Sequence, residues 1–75
     1  MKAKLKFYEG KRQEVKEFIQ YCGFEYKETK NQEEAIVKNI KKIQVDGLTV
    51  TLTSNANLKL VLFTDTTLEE IEIGA

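Results

Sequence analysis

The chain has 75 residues with 12 basic and 12 acidic side chains, no histidine, no proline and one cysteine. One cysteine excludes an internal disulfide, and the lack of histidine excludes Cys/His zinc sites and histidine-activated nucleophiles. The length predicts a single domain over residues 1–75, near the lower limit for folding without a disulfide or a metal.

The charges divide unevenly along this neutral chain. Residues 1–42 hold eleven basic and seven acidic groups, and residues 43–75 hold one basic and five acidic groups. Such a division gives a dipole that can steer a charged partner. Lysine outnumbers arginine eleven to one, a bias of AT-rich codons that indicates a low-GC bacterium or its phage.

The first element is a predicted strand over residues 2–8, where apolar side chains alternate with lysines. A period of two is typical of a half-buried strand with one face in water. A helix is predicted next, over residues 11–22, and Gly23 follows where helices commonly end. Its apolar residues recur at helical spacing and predict one buried stripe, made of Val15, Phe18, Ile19 and Cys22.

Cys22 is interpreted as a core residue and not as a nucleophile. It falls in the last turn of the predicted helix, where the helix dipole disfavours a thiolate, and no histidine can take its proton. Buried free cysteine usually behaves as a small apolar residue. A free thiol without disulfides also fits a reducing compartment, so we expect a cytoplasmic protein.

The middle of the chain is predicted to form a short strand and then a second helix. Residues 24–27 alternate aromatic and charged side chains and predict the strand. Asn31 and Glu34 have capping-box spacing, and isoleucines recur at helical intervals, so residues 32–43 predict a helix. Their β-branched side chains leave a strand as the alternative.

The remaining residues predict an antiparallel meander. Asp46-Gly47 between two alternating runs is typical of a two-residue hairpin turn, which would set Val45 opposite Leu48. A loop over residues 53–57 would then set the leucines of the next strand opposite Leu52 and its neighbours. Residues 69–73, EEIEI, predict a closing strand, with a short helix capped by Asp65 or Thr66 as the alternative.

The elements together predict an α+β fold. A strand, a helix, an additional strand and an additional helix precede a three- to four-stranded antiparallel β-meander that packs on one or two helices. We expect no catalytic residue, no metal site and no cofactor, because the charged pairs fit solvated surface and no phosphate-binding glycine motif occurs. No apolar run approaches the roughly 20 residues needed to span a bilayer, so no membrane association is expected.

A basic stripe near the start of the chain is a candidate anion or nucleic-acid contact. Its members are the lysines of the first strand and the basic residues of the helix start: Lys2, Lys4, Lys6, Lys11, Arg12 and Lys16. Basic stripes follow nucleic-acid backbones, and the free amides behind Gly10 could hold an anion. Solvated lysines that protect an edge strand are the alternative.

Residues 58–63, LKLVLF, are apolar on both faces of the predicted strand. A strand of this kind is expected to be covered on both sides. Either the second helix, through Ile36, Ile40 and Ile43, or another molecule would cover Val61 and Phe63. We therefore treat Val61 and Phe63 as a candidate interface with a protein partner or a second copy of the chain.

These observations predict a small non-catalytic protein-binding module, an inhibitor or regulator of the phage or mobile-element type, that acts through a sheet face or an edge strand. The alternative is a nucleic-acid-associated protein that uses the basic stripe.

Overall fold

The computed structural model describes residues 1–74, which form one helix and seven strands in two antiparallel sheets. The elements are β1 (Ala3–Phe7), α1 (Lys11–Tyr21), β2 (Glu25–Glu28), β3 (Glu34–Lys38), β4 (Ile40–Asp46), β5 (Thr49–Ser54), β6 (Lys59–Phe63) and β7 (Leu68–Ile73). Sheet A has the order β2–β3–β1–β7, and sheet B has the order β4–β5–β6. The predicted α+β fold with a β-meander is confirmed.

The predicted second helix is wrong, because residues 32–43 contribute to β3 and β4 instead. Asn31 does not cap a helix: its Oδ1 accepts a hydrogen bond from the Glu33 amide at 2.8 Å in a tight turn. In β3, Ala35 and Val37 are fully buried against the core while their neighbours face outward. The strand preference of β-branched Ile36 and Val37 therefore outweighed the helical spacing of the isoleucines.

Asn39 turns the chain from sheet A into sheet B. Its φ of 71° lies in the left-handed region that asparagine tolerates better than most residues. Its Oδ1 accepts a hydrogen bond from Asn55 Nδ2 at 2.9 Å, and its Nδ2 donates to the Gly23 carbonyl at 3.2 Å. One residue thus ties β3 and β4 to two neighbouring turns.

The core combines the inner faces of both sheets. Leu5 and Phe7 of β1 have no exposed surface, and they join Val50 and Leu52 of β5 in one buried cluster. Strand β7 completes sheet A by pairing with β1, so residues 69–73 lie in a strand as predicted and not in a short helix. The chain therefore closes by returning from sheet B to sheet A.

Helix α1 begins at the predicted residue and ends one residue earlier than predicted, at Tyr21, but its buried side differs from the predicted stripe. Phe18 is 61% exposed, whereas Ile19 is fully buried. The side that meets β2 carries Arg12 and Lys16, which both contact the Glu28 carboxylate. Apolar periodicity does not reveal these ion pairs, which lie on the same side of α1 as Ile19, while Phe18 faces solvent.

The strand registers of sheet B differ by two residues from those predicted. The turn residues are Gly47 and Leu48, so Val45 pairs with Val50 and not with Leu48. Gly47 supplies the positive φ, 60°, at the first turn position, as a two-residue hairpin requires. The next turn also lies later than predicted, and Leu52 pairs with Leu60.

Candidate functional site

The outer face of sheet B is a solvent-facing grid built by alternation along three strands. Residues on this face pair across the strands in three rows. Lys42, Thr53 and Lys59 form the first row, Gln44, Thr51 and Val61 the second, and Asp46, Thr49 and Phe63 the third. The grid is basic at one end, acidic at the β4 corner of the other end, and apolar along β6.

Val61 and Phe63 are the apolar side chains of this grid, and they are 47% and 51% exposed. The expectation that a second helix covers them is wrong, because Ile36, Ile40 and Ile43 lie in strands. Strand β6 is an edge strand that buries Leu62 on its inner side, so cover of the outer side by another molecule stays a prediction. The candidate interface residues therefore share one exposed surface.

The backbone edge of β6 is partly occupied. The Ser54 amide donates to the Leu58 carbonyl and the Thr64 amide to the Leu48 carbonyl. In an antiparallel ladder, this pattern turns the backbone groups of residues 59, 61 and 63 away from β5. The Lys59 carbonyl oxygen lies 3.8 Å from Cys22 Sγ, and the Phe63 carbonyl accepts a bond from Thr67 at 3.0 Å. A partner can therefore bind more readily to the outer face of sheet B than to the backbone edge of β6.

The basic residues of β1 do not form a uniform patch. Lys4 Nζ lies 3.3 Å from Glu72 Oε2 of the neighbouring β7. Lys4 and Lys6 line a shallow cleft of about 180 Å³ together with three acids, Glu34, Glu70 and Glu72. Lys2, one residue before β1, has no ion pair within residues 1–74. Acids from both neighbouring strands thus lie beside Lys4 and Lys6 but not beside Lys2.

The three basic residues of α1 are engaged in local contacts. Lys11 Nζ lies 3.0 Å from Glu14 Oε2, and Lys16 Nζ lies 3.7 Å from Glu28 Oε2. Arg12 donates to the carbonyls of Asn31 and Glu34 at 2.9 and 3.2 Å, which anchors the helix to the start of β3. These contacts are structural and account for the positions of all three side chains.

The helix start behind Gly10 forms a cleft of about 380 Å³. Glu9 and Glu33 line it together with Arg12, and Glu33 Oε2 is buried without a hydrogen-bond partner among residues 1–74. Two carboxylates beside the free amides oppose the binding of an external anion. The geometry therefore gives no support to the predicted anion contact.

Tyr26 and Glu28 of β2 form the most perturbed pair of titratable groups in this part of the chain. The Tyr26 hydroxyl donates to Glu28 Oε2 at 2.8 Å. Burial, and then this hydrogen bond, raise the pKa of Tyr26 to about 12. The same bond, aided by Arg12 and Lys16, lowers the pKa of Glu28. At neutral pH Tyr26 stays neutral and Glu28 stays charged, as both ordinarily are. We therefore interpret the pair as a structural contact and not as an acid–base site.

Cys22 is half-buried at the C-cap of α1 and packs against the core, in agreement with its predicted structural role. Within residues 1–74, no three histidine, cysteine or acidic side chains are grouped so that they could hold a metal ion. In the same residues, no helix has the length and apolar composition that crossing a bilayer requires.

Comparison with known proteins adds no family. No family model matches the chain, and no match is found among curated proteins or among solved structures.

The threonines and lysines around Val61 and Phe63 did not stand out in the sequence. Thr49, Thr51 and Thr53 alternate with buried residues, a period of two that marks one solvent face of a strand. Lys42 and Asp46 were not assigned to this face because the predicted second helix contained Lys42 and the predicted turn contained Asp46. The edge of β4 was missed because its residues were assigned to a helix and to a covered hairpin.

Proposed function

We propose that this protein is a non-catalytic protein-binding module that acts through the outer face of sheet B. The observation that carries the proposal is the side-by-side exposure of Val61 and Phe63 on one solvent-facing strand. Large apolar side chains that adjoin one another on a surface are typical of interaction sites. We take its role to be that of an inhibitor or regulator of the phage or mobile-element type.

The chemistry of the grid specifies the partner. Val61 and Phe63 call for apolar side chains on the opposing protein, and the Thr49–Thr51–Thr53 column offers hydroxyls that can donate or accept hydrogen bonds. Lys42 and Lys59 at one end favour an acidic group on the partner, which would also speed its approach. A flat protein surface with an apolar centre and an acidic border fits this grid.

A photo-cross-linking side chain placed at residue 61 tests the proposal. The matched control is the same group at Ile73, which is 57% exposed on β7 of the other sheet. In cells that naturally make the protein, position 61 should yield a defined cross-linked protein that position 73 does not. Equal products at both positions, or none at position 61, would contradict the proposal.

The nucleic-acid alternative is distinguished by salt. Binding through neutralised phosphates weakens steeply as salt rises, whereas an apolar interface responds little. When a lysate of these cells is brought to high salt or treated with nuclease before irradiation, we expect the cross-linked yield at position 61 to persist. A product that disappears under both treatments would favour nucleic acid. The free thiol of Cys22 supports a reducing, cytoplasmic setting.

A further inference from the structure

Strand β4 presents an open backbone edge. The bonds from Ser54 to Leu58 and from Thr64 to Leu48 turn alternate residues of β5 toward β6. Residues 49, 51 and 53 must then bond to β4, where they pair with Asp46, Gln44 and Lys42. The N–H and C=O groups of Ile43 and Val45 consequently point away from the sheet. Within residues 1–74, no other segment bonds to them.

The side chains along this edge are also uncovered. Val45 is 63% exposed although it lies on the same face as the buried Val50, its cross-strand partner. Leu48, in the adjoining turn, is exposed as well. An apolar residue next to free backbone groups is the arrangement that pairs with another strand.

We infer that β4 pairs antiparallel with β4 of a second copy of this chain. The strand is complementary to itself when Gln44 meets Gln44 of the second copy. Lys42 then lies opposite Asp46 of the second copy on the outer face, and the two-fold symmetry forms this charge pair twice. Ile43 lies opposite Val45 of the second copy on the inner face.

The backbone geometry agrees with this register. Ile43 and Val45 are the residues whose N–H and C=O groups point outward, and this register sets them opposite each other across the two-fold axis. Such residues exchange two hydrogen bonds per pair, so the two pairs form four bonds. The next register that keeps these hydrogen bonds is shifted by two residues. It sets Lys42 or Asp46 opposite Gln44 of the second copy and loses both charge pairs.

The other edges are less suited to pairing. The edge of β6 is occupied at Lys59 and Phe63 by Cys22 and Thr67. Strand β2 is four residues long and carries Glu25, Lys27 and Glu28, and β7 carries Glu69, Glu70 and Glu72. Like-charged residues that meet across a strand pair are destabilising, which disfavours β7 against its own copy. Strand β4 carries both charges in symmetric positions.

The dimer would extend sheet B into one continuous six-stranded sheet. Because the two-fold axis is perpendicular to that sheet, both outer faces lie on the same side. The Val61 positions of the two copies would stand roughly 24 Å apart, five strand spacings of about 4.8 Å. This inference does not depend on the proposed function, since the pairing uses neither Val61 nor Phe63.

Charge exchange tests the register with purified chain alone. Sedimentation velocity up to roughly 1 mM should show a concentration-dependent dimer of the native protein, because an edge contact is small and weak. Lys42→Asp and Asp46→Lys should each weaken dimerisation about tenfold or more, since like charges then face each other. An equimolar mixture of the two variants should form a heterodimer about as well as the native chain.

A proline substitution tests the edge itself. Val45→Pro removes a donor that points away from β5, so the monomer should stay folded while dimerisation falls at least tenfold. The control Val45→Thr keeps the amide and the branched side chain and should dimerise normally. A native protein that stays monomeric at roughly 1 mM would overturn the inference. The inference would also be overturned if Lys42→Asp and Asp46→Lys each dimerised alone as strongly as the mixture of the two.

Discussion

Val45 and Val50 are cross-strand partners in sheet B, but Val45 is 63% exposed and Val50 is 1% exposed. The difference shows where the core ends: it lies beneath β5 and stops short of the outer edge of β4. The core therefore leaves two surfaces of sheet B uncovered, the β4 edge and the outer face that bears Val61 and Phe63.

The stability of the fold should depend on Glu28 at acid pH. The hydrogen bond from Tyr26, with Arg12 and Lys16 nearby, holds the pKa of Glu28 below its ordinary value. A carboxyl whose pKa is lowered by folding stabilises the protein above its unfolded pKa, about 4.3. That stabilisation is lost as the pH falls through the folded pKa.

We therefore expect Glu28→Gln to reduce stability at neutral pH and to flatten the loss of stability below about pH 5. Urea unfolding midpoints across this range measure the effect. Glu17→Gln serves as the control, because Glu17 is an exposed helix carboxylate without an ion pair in the described chain. Parallel pH profiles for the native protein and Glu28→Gln would contradict the assignment.

The corner at Asn39 should tolerate glycine better than alanine. Alanine loses both side-chain hydrogen bonds and must also hold the left-handed backbone, at a total cost of about 2 kcal/mol or more. Glycine loses the same bonds but adopts the backbone freely, so we expect about 1 kcal/mol less destabilisation. The unfolding free energies of Asn39→Ala and Asn39→Gly decide the order. A larger loss for glycine would show that φ is not the constraint.

The sequence correctly predicted the strands whose apolar residues alternate with a period of two, and it predicted helix α1, which ends just before Gly23. These features depend on neighbouring residues, and tertiary contacts agree with them. The helix predicted over residues 32–43 was wrong for two reasons. Asn31 suits a tight turn as well as a helix cap, and the four-residue spacing of Ile36 and Ile40 fits both a helix and a strand. Phe18 was misplaced because the buried side of α1 includes Arg12 and Lys16, whose contacts with Glu28 join distant segments and leave no trace in the apolar spacing.

The candidate interface residues could be predicted from the sequence, but the residues that surround them on the outer face of sheet B could not. Val61 and Phe63 stood out because both faces of their strand are apolar. Which face is open depends on the strand order, and the Lys42–Asp46 symmetry depends on a register that moved by two residues. The acids beside the predicted basic stripe could not be found from sequence, because Glu70 and Glu72 are far away in the chain and pair with Lys6 and Lys4 only through the register of β7.

Cys22 should react slowly with a thiol reagent in the native protein and rapidly after denaturation. Its Sγ packs against the core and approaches the Lys59 carbonyl at 3.8 Å. Cys22→Ala should cost on the order of 1 kcal/mol of stability and leave partner binding unchanged. Equal reaction rates in the native and unfolded states would place the thiol outside the packed region.

Truncation of Phe63 should cost far less stability than the same truncation in the core. Phe7 has no exposed surface, so Phe7→Ala should lose about 3–5 kcal/mol. Phe63 is half exposed on the outer face, and Phe63→Ala should lose about 1 kcal/mol or less. Chemical denaturation of both variants measures the difference. A similar loss for both would mean that Phe63 belongs to the core.

The central claim is that the outer face of sheet B binds a protein, and the affinity of Phe63→Asp tests it most directly. The measurement is the Kd for the protein cross-linked at position 61, compared among the native chain, Phe63→Asp and Ile73→Asp. We predict that Phe63→Asp raises Kd by roughly 30-fold or more, as removal of an apolar anchor does, while Ile73→Asp stays near the native value. Equal Kd values for native chain and Phe63→Asp, with both proteins folded, would contradict the account.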